Sequence, residues 1–446
     1  MNVARFLPAA FLIATIAAPL LEADELSLKE AIDLAVAHNP ALKATELEGD
    51  AAAHGVEAAR AAWFPRLDLS ITTQETTVPG YAFMGKMSYG GFTMADFAPA
   101  AINDPDPVSA SRYGLEVRQP LYSGGAVAGG YEAARAGSDA ARHASQRRRD
   151  ALVFEVREAY YACLLADERL SLAREALETS DAMLARTRQL FEDGLVLKSD
   201  LLRCQVRRAT YESDLSRAEH DRTTAYRKLV KLMGVDSAVP VLSTKFSEVA
   251  PPPRRLIDME GMLAGRADYM AEQARRKMLS GAEKAARAAF LPRAVLFAGG
   301  ERNHEDLWND GQGDYYFGVS LQLNVFRGGA DRARLASARL ERRAQELRLE
   351  EMRRGMALDL FHAEGDLDDA HRQAEIARDA VEPAEEAYRI LFQRYGEGMV
   401  TVDELLAGEL ALHESKMRYA SALYQLEIAR ANYDLVTGSR KDTPSS

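Results

Sequence analysis

Little in this chain offers reaction chemistry. Of its 446 residues only two are cysteines, Cys163 and Cys204, with no Cys-x-x-Cys pair and no zinc-ligand spacing. The eight histidines are scattered, with no His-Glu-x-x-His and no pair four residues apart. There is no Gly-x-Ser-x-Gly, no nucleotide fingerprint and no cluster of acids. We therefore assign no catalytic residue, no cofactor or cofactor-binding residue and no metal ligand, and expect no enzyme. Positive charge is also short. A formal net charge of −11 with no basic stripe argues against nucleic acid as a partner. The triple arginine in "QRRRDA" from Gln146 reads as a solvated helix face. Beyond the N-terminus no run of 18 apolar residues occurs, so no membrane-spanning helix is expected there.

The first residues do carry an apolar run. "MNVARFLPAAFLIATIAAPLLEA" has one arginine, about 13 apolar residues and small residues before Ala23. It resembles a secretory signal peptide over residues 1–23, being too short for the ~20 residues a bilayer span needs. No cysteine follows it, so a lipid anchor at that point is not expected. The chain is thus expected to be exported, and either soluble or inserted as something other than helices.

What the chain has in abundance is repetition. "VRQPLYSGGAVAGG" from Val117 is echoed by "LQLNVFRGGADRAR" from Leu321. A shift of 204 places Gly124-Gly125 on Gly328-Gly329, "LFEDGLV" from Leu190 on "RYGEGMV" from Arg394, and Gly234 on Gly438. A shift of 227 places "EAARAAWFPR" from Glu57 on "KAARAAFLPR" from Lys284, so 23 extra residues lie between Pro65 and Gly114. Two repeats are expected, about 24–234 and 256–438. A proline-rich linker over 235–255 joins them ("APPPRR" from Ala250), and a disordered tail follows over 439–446.

Each repeat reads helix, strand, loop, strand, long helix, turn, helix. The first helix should run from Ser27, whose spacing to Glu30 is that of a capping box, to Ala62. Pro65 and Pro292 mark helix-to-strand junctions. In the strands Leu67, Leu69 and Ile71 share a face, as do Tyr113, Leu115, Val117 and Leu121, against Glu116 and Arg118. In the second repeat Phe317, Val319, Leu321, Leu323 and Val325 oppose Ser320, Gln322 and Asn324. Such alternation suits a half-solvated antiparallel sheet, and equally a barrel that is apolar toward lipid and polar toward its lumen.

From Gly125 to Gly194 apolar residues recur in steps of four and three. Ten of twelve positions from Leu152 through Leu177, Ser180, Leu184 and Thr187 to Phe191 are apolar, which makes a coiled seam. Pro383 should kink the matching rod of the second repeat, where the first has Thr179. At 1.5 Å per residue the long rod reaches about 100 Å, against about 60 Å for the return from Gly194 and about 50 Å for the first helix. The same rise puts the two cysteines roughly 30 Å apart, beyond any disulfide. Four strands cannot close a membrane barrel, which needs eight, and an open edge in lipid strands backbone groups at several kcal/mol each. Either the sheet is soluble or several chains share one barrel.

These residues resemble the outer membrane efflux protein family, the TolC-like exit ducts of Gram-negative bacteria. The likeness rests on "AVAHNPALKA" from Ala35, "FPRLDL" from Phe64, "QPLYSGG" from Gln119 and "YGEGMVTVDELL" from Tyr395, in that order and within a duplicated chain. It implies a mainly α chain with a transmembrane β part. As a homotrimer this would form a twelve-stranded barrel continued by an α-helical tunnel through the periplasm. It also implies outer membrane lipid around the barrel, a periplasmic adaptor protein and an inner-membrane pump. The implied function is passive conduction in multidrug efflux or type I secretion.

On that resemblance Gly124, Gly125, Gly328 and Gly329 are strand-to-helix junctions, where glycine tolerates the turn. "GGAVAGG" is not a phosphate loop, since it lacks the Gly-Lys-Ser/Thr ending. The periplasmic tips are Gly194, Leu195, Val196 and Gly398, Met399, Val400, candidate adaptor contacts that also read as hairpin turns with a buried staple. Asp200, Tyr395, Asp403 and Glu404 are candidate gate residues, although Thr401 and Glu404 equally form a capping box. Val400 and Ala407 replace a basic and an acidic residue usual in that turn. The loop over about 78–111 and the shorter one near "HEDLWNDGQG" would face outward, and Trp63, Tyr113 and Tyr122 suit an interfacial belt or junction packing. A soluble periplasmic coiled-coil scaffold is the competing reading.

Overall fold

The computed structural model describes residues 25–235, 240–247, 249–250, 258–306 and 312–438. The expected signal peptide, the C-terminal tail and about half of the proline-rich linker lie outside them. The chain runs β1 (Glu25–Leu26), α1 (Leu28–His38), α2 (Pro40–Ala61), β2 (Arg66–Thr76), α3 (Pro79–Ser88), α4 (Pro99–Asn103) and β3 (Val108–Tyr122). Then come α5 (Ala126–Glu192), α6 (Lys198–Met233), β4 (Val241–Leu242), α7 (Met259–Gly265), α8 (Ala267–Arg287), β5 (Arg293–His304) and β6 (Gln312–Gln322). The last helices are α9 (Ala330–Asp379), α10 (Val381–Gly396) and α11 (Val402–Thr437).

The capping box at Ser27 and Glu30 is present, but the expected first helix is two helices. It breaks at Asn39, because Pro40 lacks an N–H and starts a new helix at its first position. The Asn39 carboxamide oxygen accepts from the N–H groups of Ala41 and Leu42 at 3.0 and 3.1 Å, and its nitrogen donates to Leu232 O at 2.9 Å. The second repeat breaks at the matching place, Arg266, between α7 and α8. Pro383 also acts as expected. The long rod ends at Asp379 and resumes at Val381, since proline supplies no N–H for the Asp379 carbonyl four residues back. At Thr179 the helix α5 runs on unbroken for 67 residues.

The described residues form two compact units, each drawn from both repeats. One comprises Ala44–Arg148 and Asp258–Leu358 and contains a four-stranded antiparallel sheet in the order β2-β3-β5-β6. Leu67, Leu69 and Ile71 pair with Val117, Leu115 and Tyr113, and Leu296, Ala298 and Gly300 pair with Val319, Phe317 and Tyr315. These residues share one face, and its large side chains are bare: Leu69 is 71% exposed, Phe317 77% and Leu321 72%. The opposite face carries ion pairs, Arg118–Glu116 at 2.6 Å, Arg66–Asp68 at 2.9 Å and Arg112–Glu301 at 3.5 Å. The strands exceed the alternating segments read from sequence. β3 starts at Val108, so Tyr113 sits inside the strand and not at its end, and the loop shortens accordingly. β6 ends at Gln322, leaving Leu323 and Val325 beyond the paired ladder.

In the same unit α5 and α8 pack with their backbones nearly touching. A Cβ on Gly129 would lie 2.6 Å from Ala285 N, and one on Gly281 2.6 Å from Ala133 N. Glu283 of α8 accepts from Arg342 of α9 at 2.9 Å.

The other unit comprises the chain up to Lys43, Arg149–Ile257 and Asp359–Ser446. Its largest core joins Ile32, Ala35 and Leu42 to Leu152, Val156, Tyr160, Leu229 and Met233. Tyr160 OH donates to Leu26 O at 2.7 Å and accepts from Thr244 N at 3.0 Å, which ties the parallel pair β1–β4 to α5. The seam on α5 differs from the expected one past Ala173. Ala176, Ser180, Met183, Thr187 and Leu190 are buried, while Leu177 and Leu184 are half-buried and Phe191 is 37% exposed. Residues of α10 and α11, including Tyr395, Val402 and Leu405, pack with Met183 and Leu190 and draw the burial to that side.

Candidate functional site

Three places in the fold carry the expected functional residues. The first is the pair of strand–helix junctions. Gly124, Gly125, Gly328 and Gly329 all have left-handed backbones, with φ of 63°, 89°, 59° and 82°. A residue with a Cβ resists those angles, so the sharp exit from strand to helix requires glycine. Gly124 also lies against the junction of the other repeat, where its Cβ would be 2.7 Å from Leu291 Cβ. Pro65 and Pro292 stand immediately before β2 and β5. Trp63 packs its ring edge-on to Tyr131 at 5.0 Å, whereas Tyr122 is 49% exposed.

The second place is the pair of helix turns. Gly194 and Gly398 have φ of 75° and 72°. Leu195 N donates to Leu190 O at 2.8 Å and Met399 N to Arg394 O at 3.0 Å, each closing a C-terminal glycine cap. Of the six expected tip residues, Val196 and Val400 turn inward onto the core, while Leu195 and Met399 are 71% and 70% exposed. The staple and the exposed apolar tip therefore coexist, on adjacent residues.

The third place is just above these turns, where the four expected gate residues do not form one cluster. Tyr395 is buried, and its hydroxyl lies 3.0 Å from Thr187 Oγ1 on α5. Burial raises its pKa. Arg186 donates to Gly396 O at 2.9 Å, a second tie between the same helices. Asp403 is exposed and paired with Arg203 of α6. Asp200 and Glu404 each turn back to cap a helix start, accepting from Leu197 N at 3.1 Å and Thr401 N at 2.8 Å. Glu404 and Thr401 complete the capping box, whereas Leu197 has no oxygen to return the bond.

Sequence reasoning missed a further contact beside these. Glu409 is buried on α11 and accepts from Tyr211 OH of α6 at 2.7 Å. Desolvation raises the Glu409 carboxyl pKa, against the opposing pull of that hydrogen bond and of Arg207. The signal was its step of four from Leu405 on the apolar face of α11. Thr187 gave a signal too, as one of two polar residues on the long seam. Arg203 and Arg186 carried none. Both cysteines are free and buried, and burial pushes the Cys163 thiol up to about 12, which fits inert packing. Among the described residues no cluster of metal-ligating side chains occurs, and no helix is long and apolar enough to cross a membrane.

Comparison with known proteins matches this architecture over both repeats. The family model for outer membrane efflux proteins covers residues 31–235 and 260–439. Protein CyaE of Bordetella pertussis is 26% identical over 415 residues, spanning 90% of this chain and 82% of that one. Outer membrane protein OprJ of Pseudomonas aeruginosa is 25% identical over 394 residues, spanning 84% and 76%. The crystal structure of the Campylobacter jejuni CmeC outer membrane channel superposes with a TM-score of 0.78 at 16% identity, over 92% of this chain and 85% of that one. The residues matched by the family model thus include all four strands of the sheet and the long helices. The chain belongs to the outer membrane efflux protein family, and is an efflux channel of the outer membrane that extends into the periplasm.

Proposed function

We propose that three copies of the chain share one twelve-stranded barrel and pass substrate outward from an inner-membrane pump held by a periplasmic adaptor. The observation that carries this is the sheet. It has one bare apolar face, one ion-paired polar face and two edges, β2 and β6, that pair with nothing among the described residues. Each edge strand has 11 residues, the length that crosses hydrocarbon when tilted. In lipid those edges cannot stay open, and four strands cannot curl onto one another, so sister chains must supply the mates. The loop between β2 and β3 supports the direction. Its helix α3 packs on β3 through Gly85, whose Cβ would touch Ala110, and Gly90 lies against Gln312. Ala110 and Gln312 belong to the polar, lumen-side face, so the loop leans over the outer mouth.

At the two helix turns Leu195 and Met399 offer the adaptor bare apolar tips beside glycines that let a partner backbone approach. Tyr395–Thr187 and Asp403–Arg203 join the helix pairs of the two repeats and serve as latches of the entrance, with Asp200 and Glu404 fixing the helix starts. The chain supplies no energy source, and the pump drives the flow. The test is to purify the protein from outer membranes, measure its mass in detergent, and record current across a planar lipid bilayer. A conducting trimer is the expected result, and a monomer that leaves the bilayer silent contradicts the reading. A photo-reactive residue at position 195 or 399 should capture the adaptor in intact cells.

A further inference from the structure

The polar face of the sheet holds two residues that do not fit a plain water-filled lining. Phe297 on β5 and Tyr316 on β6 are the only aromatic side chains among its register positions. Their rings lie 6.3 Å apart at 48°. Each is set over a glycine of the facing strand. Phe297 pairs with Gly318 and Tyr316 with Gly299. A Cβ on Gly299 would meet Tyr316 Cζ at 2.5 Å, and one on Gly318 would meet Phe297 Cζ at 2.7 Å. The two glycines thus clear the space in which the rings lie against the sheet. Tyr316 stays 38% exposed, so it is not sealed in a core.

Two charge pairs beside the rings are matched internally, while Asp314, next to Tyr316 on the same face of β6, is exposed and has no ion pair among the described residues. Arg118 and Glu116 pair with each other across from Phe297 and Gly299, and Arg66 pairs with Asp68 one strand further. What the rings themselves offer a passing molecule is an apolar π surface, with the Asp314 carboxylate at its margin. Bare aromatic surface on a water-facing wall is a cost unless something covers it.

We propose that Phe297 and Tyr316 form a contact site for planar aromatic cargo in the barrel, present three times around the lumen. The proposal rests on the barrel reading above, which turns the polar face inward. A ring entering the barrel stacks on Tyr316 or Phe297 and leaves again, since single stacking contacts are weak and open to water.

The experiment records current through the purified full-length channel in planar bilayers while ethidium, a planar aromatic cation, is titrated in. Tetramethylammonium, with the same charge and no ring, is the control. Ethidium should reduce the wild-type conductance saturably and tetramethylammonium should not. The F297S/Y316S variant should conduct normally and need roughly tenfold more ethidium for the same reduction. Should that variant fail to assemble, F297L/Y316L keeps the apolar cover over both glycines and is expected to show the same loss of block. Equal block by the two cations, or block unchanged in a conducting variant, overturns the aromatic site. A wild-type preparation that carries no current at all fails at the barrel reading instead, so the two failures are distinguishable.

Discussion

The two halves of the chain follow a similar order of elements with little shared sequence, and three of their differences fall where helices break, start or touch. In the first repeat the long helix α5 is continuous through Thr179, while in the second Pro383 splits the corresponding rod at Ala380. The first repeat starts its return helix with Leu197, which cannot cap, and the second with Thr401, which can. The first carries Gly129 where the backbones of α5 and α8 meet, and the second has Ala333 at that place in the shift of 204. Each of these differences can be exchanged between the halves to measure what it contributes.

The largest effect is expected where α5 and α8 pack. Gly129→Leu must push against Ala285 and Gly281 backbone atoms, which do not yield as a side-chain tip does. It should cost about 3 kcal/mol or more and empty the outer membrane of the protein. The adjacent Gly130 has nothing within 4 Å of its would-be Cβ, so Gly130→Ala should be tolerated or gain up to about 1 kcal/mol of helix preference. Protein levels and thermal melting of the two variants read the contrast directly.

Next comes the link between α5 and α10, the proposed entrance latch. Thr187→Val leaves the buried Tyr395 hydroxyl without its partner, at a cost of about 2 kcal/mol, and should raise channel conductance by loosening α5 from α10. Unchanged conductance with lowered stability would make this bond a brace and not a latch. A smaller effect separates the return helices. Thr401→Ala should cost about 1 kcal/mol, and Leu197→Thr should gain a similar amount by completing the box with Asp200.

The smallest effect is a change of slope with pH. Glu409 has its carboxyl pKa raised by burial from the ordinary 4.5. The folded state therefore holds its proton more tightly than the unfolded one. Its contribution is full below the unfolded value and fades as pH rises from about 4.5 through the folded value. Glu409→Gln removes that decline, so the variant should gain in melting temperature relative to wild type as pH increases over that window.

Much of this was legible in the sequence, for reasons that are physical. The glycines at 124, 125, 328 and 329 announce themselves because no other residue takes their backbone angles easily. The sheet faces could be read because a period of two leaves Leu67, Leu69 and Ile71 no other arrangement. The break at Asn39 was missed although Pro40 marks it, since proline is also tolerated at a helix start. The shift of the α5 seam to Met183 and Leu190 was not legible, because two seams sharing Ser180 and Thr187 differ only in which side α10 and α11 occupy. Arg203 and Arg186 were equally silent. A long flexible side chain finds its partner by tertiary proximity, and Arg203–Asp403 spans 200 residues of sequence.

The central claim is that β2 and β6 find their mates on sister chains. The most direct measurement pairs Leu69→Cys in β2 with Tyr315→Cys, Phe317→Cys or Val319→Cys in β6, and oxidises whole cells before denaturing gel electrophoresis. The native cysteines are buried and will not interfere. The account predicts that at least one pairing yields covalent chains up to the trimer. Only monomer in every pairing, from protein that melts as wild type, would contradict it.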